Sequence, residues 1–285
     1  MRVLHSVEVT GMRTAGAMKD PMLMFHGLLG STSNLRRLAL HPLLSKDRRV
    51  VVGDLRNHGA SFHDQDASIE AMAHDVMNLG STKFPGETPI LLGHSLGGLV
   101  SMAAALRHPD VIKALVVVDI APVNYNEGIG REQRAGHMKI IQAMMNVDFG
   151  LVQKEAGNKA RNYVEELLKP EIPELGIRQF VMQNLFQDEQ GTWKWRCNLQ
   201  SLKENFLALG DFKNANVLHG SVYHGPTLFV AGEFSKYILP KHMEKIKQLF
   251  PNAELTTIAN AGHWVHADNA TEFAQHVGNF LSKLG

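Results

Sequence analysis

Residues 89–109, PILLGHSLGGLVSMAAALRHP, constrain the fold more tightly than any other stretch. Ile90-Leu91-Leu92 is an all-apolar run of the kind a buried strand presents. Residues 96–106, rich in Ala, Leu and Met, read as a helix that stops before Pro109. Between them Gly93-His94-Ser95-Leu96-Gly97 spells G-x-S-x-G at a strand-to-helix turn, the setting of a nucleophile elbow. A serine lifted off such a turn exposes its hydroxyl above the sheet. Gly93 and Gly97 suit a turn where backbone and helix must approach closely. The first N–H groups of the helix, at its positive dipole end, face the same point. Gly and Ser are common in loops, so it is the strand before and the helix after that single out Ser95.

The rest of the chain repeats that rhythm. Val3, Val7 and Val9 suggest an N-terminal antiparallel strand, and residues 11–20 a loop or hairpin connection. Met22-Leu23-Met24-Phe25 predicts a buried strand leading into His26-Gly27-Leu28-Leu29-Gly30-Ser31. A helix over about 33–44 follows, with Ser31 to Ser33 as cap candidates. Arg49-Val50-Val51-Val52-Gly53 predicts a strand and Ser68 caps a helix through Leu79. Ala114-Leu115-Val116-Val117-Val118 predicts another strand, ending at Asp119. All-apolar strands alternating with helices predict an α/β fold whose mostly parallel sheet is covered on both faces. Beyond Pro122 helices dominate, over 131–145, 152–168, 177–186 and 202–209, with one hairpin signal at Gly191-Thr192-Trp193-Lys194-Trp195. This predicts a helical cap at 122–210, inserted into a core formed by 1–121 and 211–285. The sheet rhythm resumes with a strand over 227–231, a helix over 240–249, a strand over 254–258, a loop over 259–268 and a last helix over 270–284.

Bulk properties narrow the partners. At 285 residues, 44% hydrophobic and 20% charged, the chain is long enough for one large α/β domain. Its net charge of +1, without long charged runs, gives no support to nucleic-acid binding. No apolar run is long enough to span a bilayer. A single cysteine, Cys197, excludes an internal disulfide and reads as a small buried hydrophobe. These features fit a reducing, intracellular setting: cytoplasmic, or mitochondrial where a targeting peptide is missing from the sequence. Oligomeric state is not written in the pattern. No metal or cofactor is called for. His263-Trp264-Val265-His266 lacks the helical spacing and nearby acid of a zinc motif, and neither a dinucleotide fingerprint nor a P-loop is present.

An acyl-transfer serine needs a base, an acid to orient it and an oxyanion hole. In nucleophile-elbow enzymes the chain order is serine, acid, histidine. His263, in Ala261-Gly262-His263-Trp264 after the last strand, is the candidate base. His266 competes for the role or orients the loop. Two acids remain open: Asp119, at the end of its strand, and Glu233, in Gly232-Glu233-Phe234-Ser235-Lys236. Ser235 in that turn carries no charge to hold an imidazolium. Asp119 is the favoured choice, because a carboxylate at a C-terminal strand edge shares the rim with Ser95. The N–H groups of Leu96 and Leu28 are the expected oxyanion donors. His26 reads as packing beneath that loop, and Asp54, Arg56, Asn57, His58, Gly59 and Ser61 as a turn that pins a strand end. Met138, Met144, Met145 and Phe186 are the candidate lining of an acyl pocket, with packing inside the cap as the equal alternative.

FHGLLGS, DLRNHGAS, GHSLGG, VVDIAPV and AGHWVHAD together resemble the α/β-hydrolase superfamily. More closely, they resemble the esterase family of abhydrolase domain-containing protein 11 and its small bacterial relatives. The resemblance spans residues 25–268 and is less clear in the cap. It implies a cofactor-free serine esterase acting on short to medium acyl esters, a small-molecule substrate. It also supports Asp119 as the acid, because such relatives lack an Asp after the later strand. Thioester, lactone or C–C bond hydrolysis by the same triad stays open, as does a ligand receptor that keeps the fold and turns over slowly. Dehalogenase and epoxide-hydrolase chemistry is disfavoured, since those relatives carry Asp where Ser95 stands.

Overall fold

The computed structural model describes residues 2–10, 17–153, 158–212 and 221–284. Seven strands form one sheet: β1 (Ser6–Thr10), β2 (Lys19–Phe25), β3 (Arg48–Gly53), β4 (Ile90–His94), β5 (Ala114–Val118), β8 (Thr227–Gly232) and β9 (Ala253–Ile258). Their order is β1-β3-β2-β4-β5-β8-β9. β1 runs antiparallel to β3 and every other pairing is parallel. The central strands are buried along their whole length, which is why they read as apolar runs without alternation.

Helices cover both faces. One face carries α1 (Thr32–Ala39), α2 (Pro42–Ser45) and α13 (Ala270–Ser282), packed on Met24, Leu92, Val116 and Val230. The other carries α3 (Ile69–Lys83) and α4 (Leu96–Arg107), packed on Leu23, Leu91, Leu115 and Val117. The helix predicted over 33–44 is broken in two. Pro42 bars the helical conformation at His41, which adopts φ −66° and ψ 128°. Val3 lies ahead of β1 and is exposed, so it is not part of the strand. The loop predicted over 259–268 closes with a short helix, α12 (Val265–Asp268).

Between β5 and β8 the chain leaves the sheet. It forms α5 (Gly128–Met145), α6 (Phe149–Val152), α7 (Asn158–Leu168) and α8 (Leu175–Met182). A hairpin of β6 (Leu185–Gln187) and β7 (Trp193–Trp195) follows, then α9 (Leu199–Glu204) and α10 (Phe206–Leu209). The incoming and outgoing chains bridge at Asn124 and Asp211, and the Tyr125 N–H donates to Gly210 O at 2.7 Å. The helix predicted over 177–186 ends early. Phe186 belongs to β6 and pairs with Lys194, because the turn at Gly191 (φ 80°) folds the tryptophan strand back on it. Residues 154–157 of the helix predicted over 152–168 lie outside the described residues. No described helix is long and apolar enough to cross a membrane.

The polar turn after β3 holds the architecture together. Asp54 accepts from Thr32 N at 2.6 Å and Ala60 N at 2.9 Å. Asn57 reaches the insertion, accepting from Asn198 Nδ2 at 3.1 Å and donating to Ser201 Oγ at 3.2 Å. Arg56 forks onto Asp75 of α3 with Nε–Oδ2 at 2.6 Å and Nη2–Oδ1 at 2.9 Å, and both residues are buried. Removing one partner strands a buried charge. Asp75→Ala is therefore expected to lower unfolding stability by about 3–5 kcal/mol in urea denaturation. A loss below about 1 kcal/mol would show that water reaches Arg56 and replaces the carboxylate.

Candidate active site

The parallel register delivers the polar residues to one edge. His94 pairs with Val118 and Val118 with Val230, so Ser95, Asp119 and the turn after β8 all leave the sheet at the same level. Ser95 has φ 52° and ψ −115°, and Asp119 has φ 52°. Such backbone is costly for a residue with a Cβ and persists only when neighbours hold it. Here Ser95 N donates to Val118 O at 2.9 Å and Asp119 N to Val230 O at 2.8 Å. A Cβ on Gly93 would run into the Gly97 carbonyl, and one on Gly97 into the Phe25 carbonyl. The two glycines thus let β4, α4 and β2 close on the elbow.

Ser95 Oγ lies 3.0 Å from His263 Nε2, and His263 Nδ1 lies 2.8 Å from Asp119 Oδ2. With Nδ1–H donating to the carboxylate, Nε2 is left to accept from the serine hydroxyl. Tyr237 stacks on the imidazole at 4.0 Å between centroids. Burial holds His263 well below the ordinary histidine range, to about 3, so the ring is neutral at pH 7. Burial also pushes the fully enclosed Asp119 carboxyl up, to about 7, against hydrogen bonds from Ser235 Oγ and Gly232 N. Of the two candidate acids the structure brings only Asp119 to His263. Glu233 is exposed and its Oε2 accepts from Asn260 N at 2.8 Å.

Leu96 opens α4, and Leu28 precedes Leu29, which has φ 61°. Leu28, Leu96 and Ser95 line one small cavity of about 40 Å³. Gly97 N donates to His26 O at 3.1 Å, which pins the Leu28 loop against the elbow. The insertion braces the loop too: Asn184 Nδ2 donates to Leu29 O at 2.8 Å, while Gln183 Oε1 accepts from Asn34 Nδ2 at 2.9 Å. His26 is buried under the loop and accepts from Leu55 N at 3.1 Å through Nε2. His266 sits in α12 with its ring edge on His94 at 4.8 Å, away from the serine hydroxyl. Cys197 is buried and donates to Asn184 Oδ1 at 2.9 Å.

A second cavity, of about 660 Å³, opens beside Ser95 between the sheet edge and the insertion. Leu28, Ile140, Ile177, Phe180 and Trp264 give it an apolar wall, with His137 and Gln133 among the polar groups. None of Met138, Met144, Met145 and Phe186 lines it, which corrects the expected pocket. The wall of α5 is Gln133, Gly136, His137 and Ile140, at the i, i+3, i+4, i+7 spacing of one helical face. At about 100° per residue, Met138 and Met145 point away from that face. Met144 follows it one turn later but is fully buried, with Trp195 Nε1 donating to its carbonyl at 2.8 Å. Phe186 lies under Arg196 at 4.2 Å.

Sequence reasoning also missed supporting residues. Ser235, dismissed for lacking charge, donates to Asp119. Nothing local to Tyr237 marks it as a neighbour of His263. His94 was inside the elbow motif, and its Nε2 lies 2.8 Å from His263 O. His137 could have been found from the polar stripe it shares with Gln133 on α5.

The model of the alpha/beta hydrolase fold family matches residues 20–270. The chain belongs to the α/β-hydrolase fold family. This α/β-hydrolase is 39% identical over 265 residues to the sn-1-specific diacylglycerol lipase ABHD11 of Mus musculus, covering 92% of its own chain and 81% of that protein. It is 29% identical over 264 residues to esterase YbfF of Escherichia coli, covering 92% and 93%. Among solved structures, a marine microorganism esterase superposes with a TM-score of 0.86 at 32% identity, covering 98% and 100% of the two chains. Esterases and lipases are thus the named company of this α/β-hydrolase.

Proposed function

We propose that the protein is a carboxylic-ester hydrolase working through a Ser95 acyl-enzyme. The hydrogen-bonded chain from Ser95 Oγ through His263 to Asp119 carries this reading. His263 Nε2 takes the Ser95 proton as the hydroxyl attacks the ester carbonyl, and the N–H groups of Leu28 and Leu96 hold the oxyanion. His263 returns the proton to the leaving alcohol. It then activates water to release the acid and free Ser95. A receptor that merely kept the fold would have no use for this chain of groups. Labelling with a fluorophosphonate probe, followed by a p-nitrophenyl ester panel, tests the reading. Labelling at Ser95 with ester turnover is expected; an unlabelled serine with no ester turned over would overturn it.

In this reading residues 122–210 act as a cap, and short to medium acyl esters are the substrates. The large cavity sets chain-length preference through Phe180, whose ring packs on Trp264 at 5.6 Å. Phe180→Ala is expected to shift the ratio of kcat/KM between p-nitrophenyl butyrate and longer esters by about tenfold. Met144→Ala should leave that ratio alone and cost about 2–5 kcal/mol of stability. The reverse pattern would place chain-length selection in the core of the cap.

A further inference from the structure

Arg134 projects from α5 into the small cavity that Ser95, Leu28 and Leu96 share. Its guanidinium stacks on Phe206 at 4.0 Å and an Nη2–H donates to the Phe206 carbonyl. Its Nε is buried with no hydrogen-bond partner among the described residues. Burial pulls the group down to about 10, so it stays charged at neutral pH. Tyr237 and His137 are the titratable groups it interacts with, and both are neutral at pH 7. By contrast, Arg56 and Arg178 face carboxylates, Asp75 at 2.6 Å and Glu165 at 3.8 Å. A Cβ at Gly210 would collide with this guanidinium, so the neck of the insertion leaves room for it. A half-buried cation with no carboxylate paired to it among the described residues, facing a cavity beside the reacting serine, is poised for an anion that arrives with the substrate.

Resting on the serine-hydrolase reading, we propose that Arg134 is a specificity-determining residue that receives the free carboxylate of a half-ester of a short dicarboxylic acid. The volume sets the size. At about 10–15 Å³ per water on this measure, the cavity of about 40 Å³ has room for about three waters, enough for a carboxylate on a short two-carbon arm. The carboxylate therefore lies only a few bonds from the carbonyl attacked by Ser95. The alcohol arm of such a half-ester extends into the apolar 660 Å³ cavity, which takes the acyl chain when an uncharged ester binds the other way round. Arg134 forms a charge-assisted hydrogen bond through the orphaned Nε–H and takes no part in bond making.

The test compares mono-p-nitrophenyl succinate with p-nitrophenyl butyrate, which has the same chain length and no charge. The wild-type protein is expected to show a higher kcat/KM on the half-ester. Arg134→Met should cut the half-ester to butyrate ratio by at least about tenfold, and Arg134→Lys should retain part of it. An unchanged ratio in Arg134→Met overturns the proposal. That includes an equal loss on both esters, which would assign Arg134 to the common oxyanion or to the fold. Where Arg134→Met does not fold, the wild-type ratio decides, and a half-ester turned over more slowly than butyrate overturns the proposal. Butyrate turnover with rejection of the half-ester sinks this inference alone. Absence of turnover on both esters, with Ser95 unlabelled, sinks the parent reading instead.

Discussion

Ser95→Ala is expected to abolish fluorophosphonate labelling and to lower p-nitrophenyl butyrate turnover by at least about four decades. The size follows from geometry. The serine hydroxyl is held 3.0 Å from His263 Nε2 by a left-handed backbone at φ 52° that its neighbours keep in place. Alanine removes one oxygen and keeps the Cβ, so the elbow and its contacts to Val118 survive. Circular dichroism and thermal unfolding should match wild type. What remains is the rate supplied by oxyanion donors and binding alone, which is small beside covalent catalysis. Turnover within about tenfold of wild type would mean that the ester is cleaved by water or another nucleophile, and the acyl-enzyme would have to be given up.

Asp119→Asn is expected to cost at least about two decades in kcat, with little change in KM. Asp119 Oδ2 accepts from both His263 Nδ1 and Ser235 Oγ. An amide NH₂ turned toward His263 would favour the tautomer with its proton on Nε2, the atom that must accept from Ser95. Asparagine tolerates the left-handed backbone that Asp119 occupies, at φ 52°, so the fold should be kept. Glu233→Gln should stay within about threefold of wild type, because its exposed side chain can still accept from Asn260 N. Rates measured side by side, after checking that melting temperatures agree, decide between them. A crippled Glu233→Gln beside a healthy Asp119→Asn would move the acid to the turn after β8.

The parts of this molecule that could be read from its sequence are those in which chemistry and local geometry coincide. An apolar run, then Gly-x-Ser-x-Gly, then a helix former leaves few ways to fold, and the elbow stands where residues 89–109 imply. Asp119 was legible for a related reason: it follows a strand whose burial makes it an unbroken apolar segment, so its end is easy to find. His263 follows the mostly exposed edge strand β9 and was legible from its place in the loop after the last strand. The helix over 33–44 was misjudged because Pro42 outweighs the apolar spacing on either side. The cavity lining failed for a different reason. Side-chain type suggested methionines, but a cavity wall depends on the rotation of α5 against the sheet, which tertiary packing sets. Phe186 shows the same limit, since an apolar pair can serve a short strand or a helix until its partner strand is known. Tyr237 and Ser235 act on the site across the sheet edge from a turn with no motif of its own.

Gln183 and Asn184 are consecutive in the insertion, and they grip two different parts of the core. Gln183 meets Asn34 at the start of α1, while Asn184 holds the Leu29 carbonyl beside the expected oxyanion donor. Any swing of the segment around α8 that widened the large cavity would pull on the Leu29–Gly30 peptide unit, next to Leu28. The large cavity's wall and the bracing of the donor loop are thereby tied to two consecutive side chains. One pair of neighbouring amides thus serves both the pocket and the catalyst: Gln183 also lines the large cavity, and Asn184 steadies the loop that carries Leu28.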